Sequence, residues 1–147
     1  MNLLIAEDND PDIFLIRQAL SAAGLMYQAQ TAYNGEHVLS VLAACEASPE
    51  RKLHGMVLDL NLTTHTGFEI LRYLRASPAW VDLPVVILTS SDSPEDRRQA
   101  EALHAAGYFR KPLDLEDFMR IGVEIAAIFG AAQSAGRPAN SSTPPIQ

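Results

Sequence analysis

Hydrophobic residues form three short, uninterrupted runs along the chain, at residues 3–6 (LLIA), 56–58 (MVL) and 85–88 (VVIL). Continuous apolar runs of this kind are typical of parallel strands that helices cover on both faces. The segment at 27–32 (YQAQTA) alternates between polar and apolar residues, which predicts an edge strand, and residues 107–110 (GYFR) predict a fifth strand. The pattern thus indicates five strands.

Residues that favour helix starts follow each of these segments and predict five helices. The expected capping or first residues are Asp10, Asn34 or Gly35, Thr66, Ser93 and Asp114. The last helix is expected to end near Gly130. A strand followed by a helix, repeated five times, predicts an α/β fold. We expect a doubly wound five-stranded parallel sheet with the common strand order 2-1-3-4-5.

This pattern fills residues 1–130, which we expect to form one domain. Residues 131–147 (AAQSAGRPANSSTPPIQ) are small, polar and rich in proline. Such a composition cannot bury enough apolar surface to offset the entropy of ordering, so it predicts a disordered C-terminal tail.

Composition and charge narrow the class of function. Hydrophobic residues make up 48% of the 147 residues, and eleven basic against eighteen acidic residues give a net charge of −7. That charge argues against direct binding to nucleic acid. No apolar run reaches the length of a membrane helix and no basic segment precedes one, so we expect neither a membrane span nor a signal peptide. A single cysteine fits a cytoplasmic protein.

Acidic residues follow two strands that the order 2-1-3-4-5 makes neighbours. Glu7 and Asp8 follow the first strand and Asp59 follows the third, so their carboxylates should converge where open α/β sheets bind ligands. Two like charges about 4 Å apart repel by about 4 kcal/mol at an effective dielectric constant of about 20. Lys111 supplies one positive charge, which is too little for three acids. Mg²⁺, which takes carboxylate oxygens, is therefore the expected cofactor.

Five short motifs resemble the receiver domain of two-component response regulators, and the resemblance covers residues 1–130. The motifs are Glu7-Asp8, the segment 57–61 (VLDLN), Gly67, the segment 88–90 (LTS) and Lys111-Pro112. The resemblance implies a flavodoxin-like receiver fold and a single-domain response regulator, a phosphoacceptor signalling protein rather than an enzyme. It also implies a sensor histidine kinase as partner. The segments LLIAEDN and DLNL resemble regulators that pair with phytochrome-type kinases.

The resemblance implies a role for each matching residue. Asp59 would be the phosphoacceptor, attacking the phosphohistidine of the kinase. The implied Mg²⁺ ligands are Asp8, Asp59 and the backbone carbonyl of Asn61, which would bind directly, and Glu7, which would bind through water. Thr89 and Lys111 would contact phosphoryl oxygens, and Tyr108 would be the aromatic residue that switches between two positions. The Lys111–Pro112 bond would be cis. The family usually has a proline where this chain has Thr63, which predicts a looser loop after Asp59.

Two other functions stay open from the sequence. A receiver-like module could use the fold for docking without phosphotransfer. A Mg²⁺-dependent phosphohydrolase is also possible, although such enzymes of the haloacid dehalogenase type place the nucleophile after the first strand and a second acid two residues later. In this chain the residue two positions after Asp59 is Asn61.

The last predicted helix is apolar almost all round. Its apolar residues are Phe118, Met119, Ile121, Val123, Ile125, Ala126, Ile128 and Phe129. A helix that packs on one side of a sheet needs one apolar face, so the surplus predicts a homodimer through this helix and the neighbouring surface.

Overall fold

The structure, a computed structural model, describes residues 1–135. Its strands are β1 (Asn2–Ala6), β2 (Gln28–Ala32), β3 (Gly55–Leu58), β4 (Val85–Thr89) and β5 (Gly107–Arg110). Its helices are α1 (Asp10–Ala22), α2 (Gly35–Glu46), α3 (Gly67–Ala76), α4 (Pro94–Ala102) and α5 (Leu115–Ala135), with a short 3₁₀ helix at Pro49–Arg51. None of the helices in this part of the chain combines the length and apolar character needed to span a membrane.

All five strands are parallel and lie in the order β2-β1-β3-β4-β5. This confirms the predicted fold. The central strands β1, β3 and β4 are almost entirely buried, whereas β2 alternates between exposed and half-buried residues before the buried Ala32, as an edge strand should. The register pairs Ala6 of β1 with Leu58 of β3, so these two strands end side by side.

The sheet separates two hydrophobic cores, because successive residues of a strand point to opposite faces. In β1, Leu4 packs in a core with residues of α2 and α3, while Leu3 and Ile5 pack in a second core with α1 and α5. The second core brings α1 and α5 into direct contact. A Cβ atom on Gly122 of α5 would lie 2.5 Å from the Cβ of Ala19 in α1, so a larger residue there would push the two helices apart.

The helix starts follow the predicted capping residues with one exception. Side chains of Asn34, Thr66 and Ser93 accept hydrogen bonds from the backbone three residues later, and Asp114 does the same before α5. At α1 the cap is Asn9 and not Asp10. Asn9 has the extended backbone that a capping residue needs, and Asp10 is already helical.

The last helix is longer than predicted. It continues to Ala135, past the expected end at Gly130 and into the predicted tail. Gly130 costs a helix about 1 kcal/mol relative to alanine, which is not enough to end it when Ala131 and Ala132 follow. The rest of the predicted tail, residues 136–147, lies outside the described residues.

Candidate functional site

Three acids meet where β1 and β3 end together. One carboxylate oxygen each from Glu7, Asp8 and Asp59 lies within 4.8 Å of the others. Glu7 and Asp59 are buried, with 1% and 4% of their surface exposed, while Asp8 faces solvent. The convergence predicted from the strand order is therefore present. Two of the three charges are held away from water.

Lys111 contacts this cluster from the end of the edge strand β5, which lies two strands away from β3. Its backbone N–H donates to Thr89 O at 2.7 Å, which places it directly after β5. Its Nζ lies 2.8 Å from Glu7 Oε2 and 3.0 Å from Asp59 Oδ2. The ammonium group thus bridges the two buried acids. The Lys111–Pro112 bond is trans, so the implied cis bond is wrong; trans is the more stable form for most X–Pro bonds.

Asp12 also contacts Lys111, which the sequence did not predict. The distance from its Oδ2 to Lys111 Nζ is 2.8 Å, as short as the Glu7 contact. The position of Asp12 in the first turn of α1 suggested a favourable interaction with the helix dipole and nothing more. A sequence signal does exist, since this turn begins two residues after Asp8 and so starts at the same edge of the sheet.

Burial and charge act in opposite directions on the two central groups. Burial raises the pKa of Glu7 from 4.5 to about 7; hydrogen bonding to Lys111 opposes this rise and the charge of Asp59 adds to it. For Lys111, burial lowers the pKa, but hydrogen bonds to Asp12, Glu7 and Asp59 outweigh burial and raise the pKa well above its usual range. The lysine is therefore firmly protonated, and the acids remain short of positive charge.

The donor set fits a hard divalent cation. Carboxylate oxygens are the ligands such ions prefer, and the pKa of Glu7 is raised chiefly by burial, with a further rise from the charge of Asp59. Glu7, Asp8 and Asp59 could each supply one oxygen. The backbone of Asn61 lies beside them, because its N–H donates to Asp59 Oδ1 at 3.2 Å.

Gly67 allows the loop after Asp59 to fold back onto the strand end. A Cβ atom at this position would lie 2.5 Å from Asp59 O and 2.6 Å from Leu60 Cα, which are backbone atoms that cannot give way. The N–H of Gly67 donates to Leu60 O at 3.0 Å. Gly67 therefore allows the start of α3 to pack directly against the backbone of Asp59.

The rest of this loop is tied to the start of α2. Thr63 O accepts a hydrogen bond from Gly35 N at 2.9 Å, and Thr64 Oγ1 accepts one from Glu36 N at 3.0 Å. Thr64 has a φ of 66°, an unusual conformation for a β-branched residue. The chain thus satisfies the first N–H groups of α2 with loop oxygens. These bonds hold the loop although Thr63 replaces the proline that the family usually has.

Thr89 ends β4 and Tyr108 lies in β5, and their side chains bond to the loop after β4. Within residues 1–135, the side-chain hydrogen bonds of both go to Ser91: Ser91 N donates to Thr89 Oγ1 at 3.4 Å, and the Tyr108 hydroxyl donates to Ser91 O at 3.0 Å. The guanidinium of Arg97 lies 4.6 Å from the centre of the Tyr108 ring, and Arg97 also pairs with Asp92 at 3.2 Å. No local sequence pattern predicted this contact between Arg97 and Tyr108.

Comparison with known proteins identifies relatives with this arrangement of strands and helices. The model of the response regulator receiver domain matches residues 3–121. The probable methanogenesis regulatory protein FilR2 of Methanothrix harundinacea is 32% identical over 123 residues, which cover 84% of this chain and 79% of FilR2. Response regulator Rcp1 of Synechocystis sp. is 28% identical over 127 residues, covering 83% of this chain and 85% of Rcp1.

Solved structures of response regulators share this fold. The Mn(2+)-bound form of response regulator Rcp1 superposes with a TM-score of 0.76 at 24% identity and covers 86% of this chain and 91% of its own. The phosphorylated cyanobacterial phytochrome response regulator RcpA superposes with a TM-score of 0.75 at 26% identity, covering 88% and 94%.

Proposed function

This chain belongs to the response regulator receiver domain family, and from that premise we propose that Asp59 accepts a phosphoryl group from a partner histidine kinase. The observation that carries the proposal is the position of Asp59. Its carboxylate is buried at the end of β3, shares an acid cluster with Glu7 and Asp8, and contacts Lys111 at 3.0 Å. A carboxylate beside an ammonium group and a cation site is suited to covalent phosphoryl chemistry.

In the proposed step, an oxygen of Asp59 attacks the phosphorus of the phosphohistidine. A P–O bond forms and the P–N bond breaks, and the imidazole nitrogen that leaves takes a proton from solvent. Lys111 and the Thr89 hydroxyl contact the phosphoryl oxygens and stabilise their negative charge. The product is an aspartyl phosphate on this chain, so the protein acts as a phosphoacceptor that promotes only its own modification.

Mg²⁺ is the cofactor that fits this proposal. Its ligands would be carboxylate oxygens of Glu7, Asp8 and Asp59 with the carbonyl of Asn61, and a bound Mg²⁺ neutralises charge on the transferring oxygens. A receiver structure with bound Mn²⁺ among the relatives supports a divalent cation of this kind. The remaining residues hold the site: Gly67 and the hydrogen bonds from Thr63 and Thr64 to α2 fix the loop that carries Asn61.

Phosphorylation would then be read out through a protein-binding surface. Tyr108 lies in the edge strand β5 and its hydroxyl donates to Ser91 O in the loop after β4; in this proposal it would respond when Thr89 turns toward the phosphoryl group. Similarity to RcpA supports a phytochrome-type histidine kinase as the phosphodonor. We further propose that the protein acts in the cytoplasm and that its output is contact with another protein.

Intact mass after incubation with acetyl phosphate tests this function. We expect one phosphoryl adduct with Mg²⁺, none with EDTA, and none for Asp59→Asn. Asp92→Asn, which changes an exposed aspartate in the loop after β4, serves as the matched control and should be modified like the wild type. An adduct that persists in Asp59→Asn would contradict the assignment. A complete lack of adduct would favour a docking module without phosphotransfer, and steady phosphate release from monoesters would favour a phosphohydrolase.

Homodimerisation through α5 is a second part of the proposal. Most of its apolar residues pack against the sheet and α1, so the surplus is smaller than predicted; Val123 remains 57% exposed, and Leu115 at the helix start is 60% exposed. Sedimentation at tens of micromolar, with and without the phosphoryl group, should reveal a dimer that Val123→Glu weakens. A monomer under both conditions would contradict it.

A further inference from the structure

Asp12 holds a defined place at the start of α1. The cap residue Asn9 accepts a hydrogen bond from the Asp12 N–H at 3.0 Å, which fixes the backbone of this turn. The Asp12 side chain is 24% exposed and its Oδ2 lies 2.8 Å from Lys111 Nζ. The contact joins α1 to the residue after β5, which is far away in the sequence. It involves none of the three clustered acids, Glu7, Asp8 and Asp59.

The three contacts of Lys111 match its chemistry. An ammonium group has three N–H donors, and here they meet Glu7, Asp12 and Asp59 at 2.8, 2.8 and 3.0 Å. Of these three acids, Glu7 and Asp59 belong to the group that could hold a metal ion, and Asp12 does not. A cation bound at Glu7 and Asp59 would use oxygens of those two acids, and the Asp12 carboxylate lies outside that group.

We propose that Asp12 is a positioning residue that orients the ammonium group of Lys111 for phosphoryl transfer to Asp59, an inference that rests on the proposed function. A lysine side chain is long and loses much rotamer freedom when it is fixed. Asp12 on the α1 side holds the Nζ atom beside the Asp59 oxygens. Correct placement of a charged group before reaction is a major source of rate acceleration.

A role for the negative charge of Asp12 alone makes the opposite prediction. That charge would repel an anionic phosphodonor, so its removal would speed phosphorylation, and Asp12→Asn and Asp12→Ala would behave alike. Positioning depends instead on an oxygen that accepts the hydrogen bond. Asparagine keeps such an oxygen and alanine does not. The two variants therefore separate positioning from charge.

The first measurement is the rate of adduct formation over a range of acetyl phosphate concentrations at saturating Mg²⁺. We expect Asp12→Ala to lower the rate constant at saturating donor about tenfold, the loss that one charge-assisted hydrogen bond supports, with little change in the half-saturating donor concentration. Asp12→Asn should recover most of the rate. Asp10→Ala, an exposed acid in the same turn, should match the wild type.

The second measurement needs no phosphorylation. The chain has two lysines, Lys52 and Lys111, so the side-chain amine region of a ¹⁵N-lysine NMR spectrum is simple. We expect a slowly exchanging Lys111 ammonium signal in wild type and Asp12→Asn that is lost in Asp12→Ala, while exposed Lys52 gives no protected signal in any of them.

Equal rates for Asp12→Ala and wild type, equal rates for the two variants, or an unchanged Lys111 signal would each overturn the inference. A wild type that forms no adduct would instead overturn the proposed function. Because the NMR signal reports on Lys111 directly, these two failures are distinguishable.

Discussion

Replacing Asp59 by asparagine is expected to raise the free energy of unfolding by about 1 kcal/mol while it removes the phosphoryl adduct. The reason is the excess of negative charge at the strand ends. Glu7, Asp12 and Asp59 all contact one ammonium group, and Asp8 lies beside Glu7 and Asp59.

Coulomb energies give the sign of this effect. At an effective dielectric constant of about 20, Asp59 gains about 5.5 kcal/mol from Lys111 at 3.0 Å. Repulsion from Glu7 and Asp8, each within 4.8 Å, costs at least about 3.5 kcal/mol per acid at the same dielectric constant. Proton uptake by Glu7 relieves part of this repulsion, but withdrawal of the Asp59 carboxylate from water costs several kcal/mol more. The balance favours the neutral side chain.

Urea denaturation of wild type and Asp59→Asn, each with and without Mg²⁺, measures the effect. We expect the variant to be more stable in EDTA, and Mg²⁺ to stabilise the wild type more than the variant because the variant has lost a ligand. Asp82→Asn removes an exposed aspartate and should change stability little. A less stable Asp59→Asn protein in EDTA would mean that the Lys111 contact outweighs the repulsion.

The sequence predicted the strand ends well because their order follows from local patterns. Apolar runs fixed β1, β3 and β4, and the parallel order then brought Glu7, Asp8 and Asp59 to one edge without any knowledge of side-chain geometry. The grouping of Asp59 with Glu7 and Asp8 could therefore be predicted from the sequence. Gly67 in the loop after Asp59 was also recognised as a motif residue. The physical reason for a glycine there, its close approach to Asp59 O, could be seen only in the structure.

The features that the sequence missed depend on how separate elements meet. Asp12 contacts Lys111 because α1 and the end of β5 flank the same acids, and no local pattern contains that distance. The contact of Arg97 with the Tyr108 ring likewise joins α4 to β5. Asn9 and Asp10 are both good capping residues, and the choice between them depends on the path of the chain as it leaves β1. These are tertiary effects.

Replacing Lys111 by methionine is expected to have the opposite effect on stability. Methionine keeps most of the length of lysine and an apolar stem and removes the charge, so Glu7 and Asp59 would be left buried without a cation. Breaking a buried ion pair by removing one partner costs about 3–5 kcal/mol. Proton uptake by Glu7, whose pKa is already raised to about 7, offsets part of that cost. We expect a loss of about 3 kcal/mol at neutral pH in EDTA.

Mg²⁺ should restore much of this lost stability, because a divalent ion bound to the same acids replaces the missing positive charge. Phosphorylation should stay low even with Mg²⁺ present, since Lys111 contacts the phosphoryl oxygens in the proposed step. Lys52→Met removes the other lysine, which is exposed, and should alter neither property. If Mg²⁺ stabilised wild type and Lys111→Met equally, the ammonium group and the cation would act on separate acids. That result would contradict a shared site at Glu7 and Asp59.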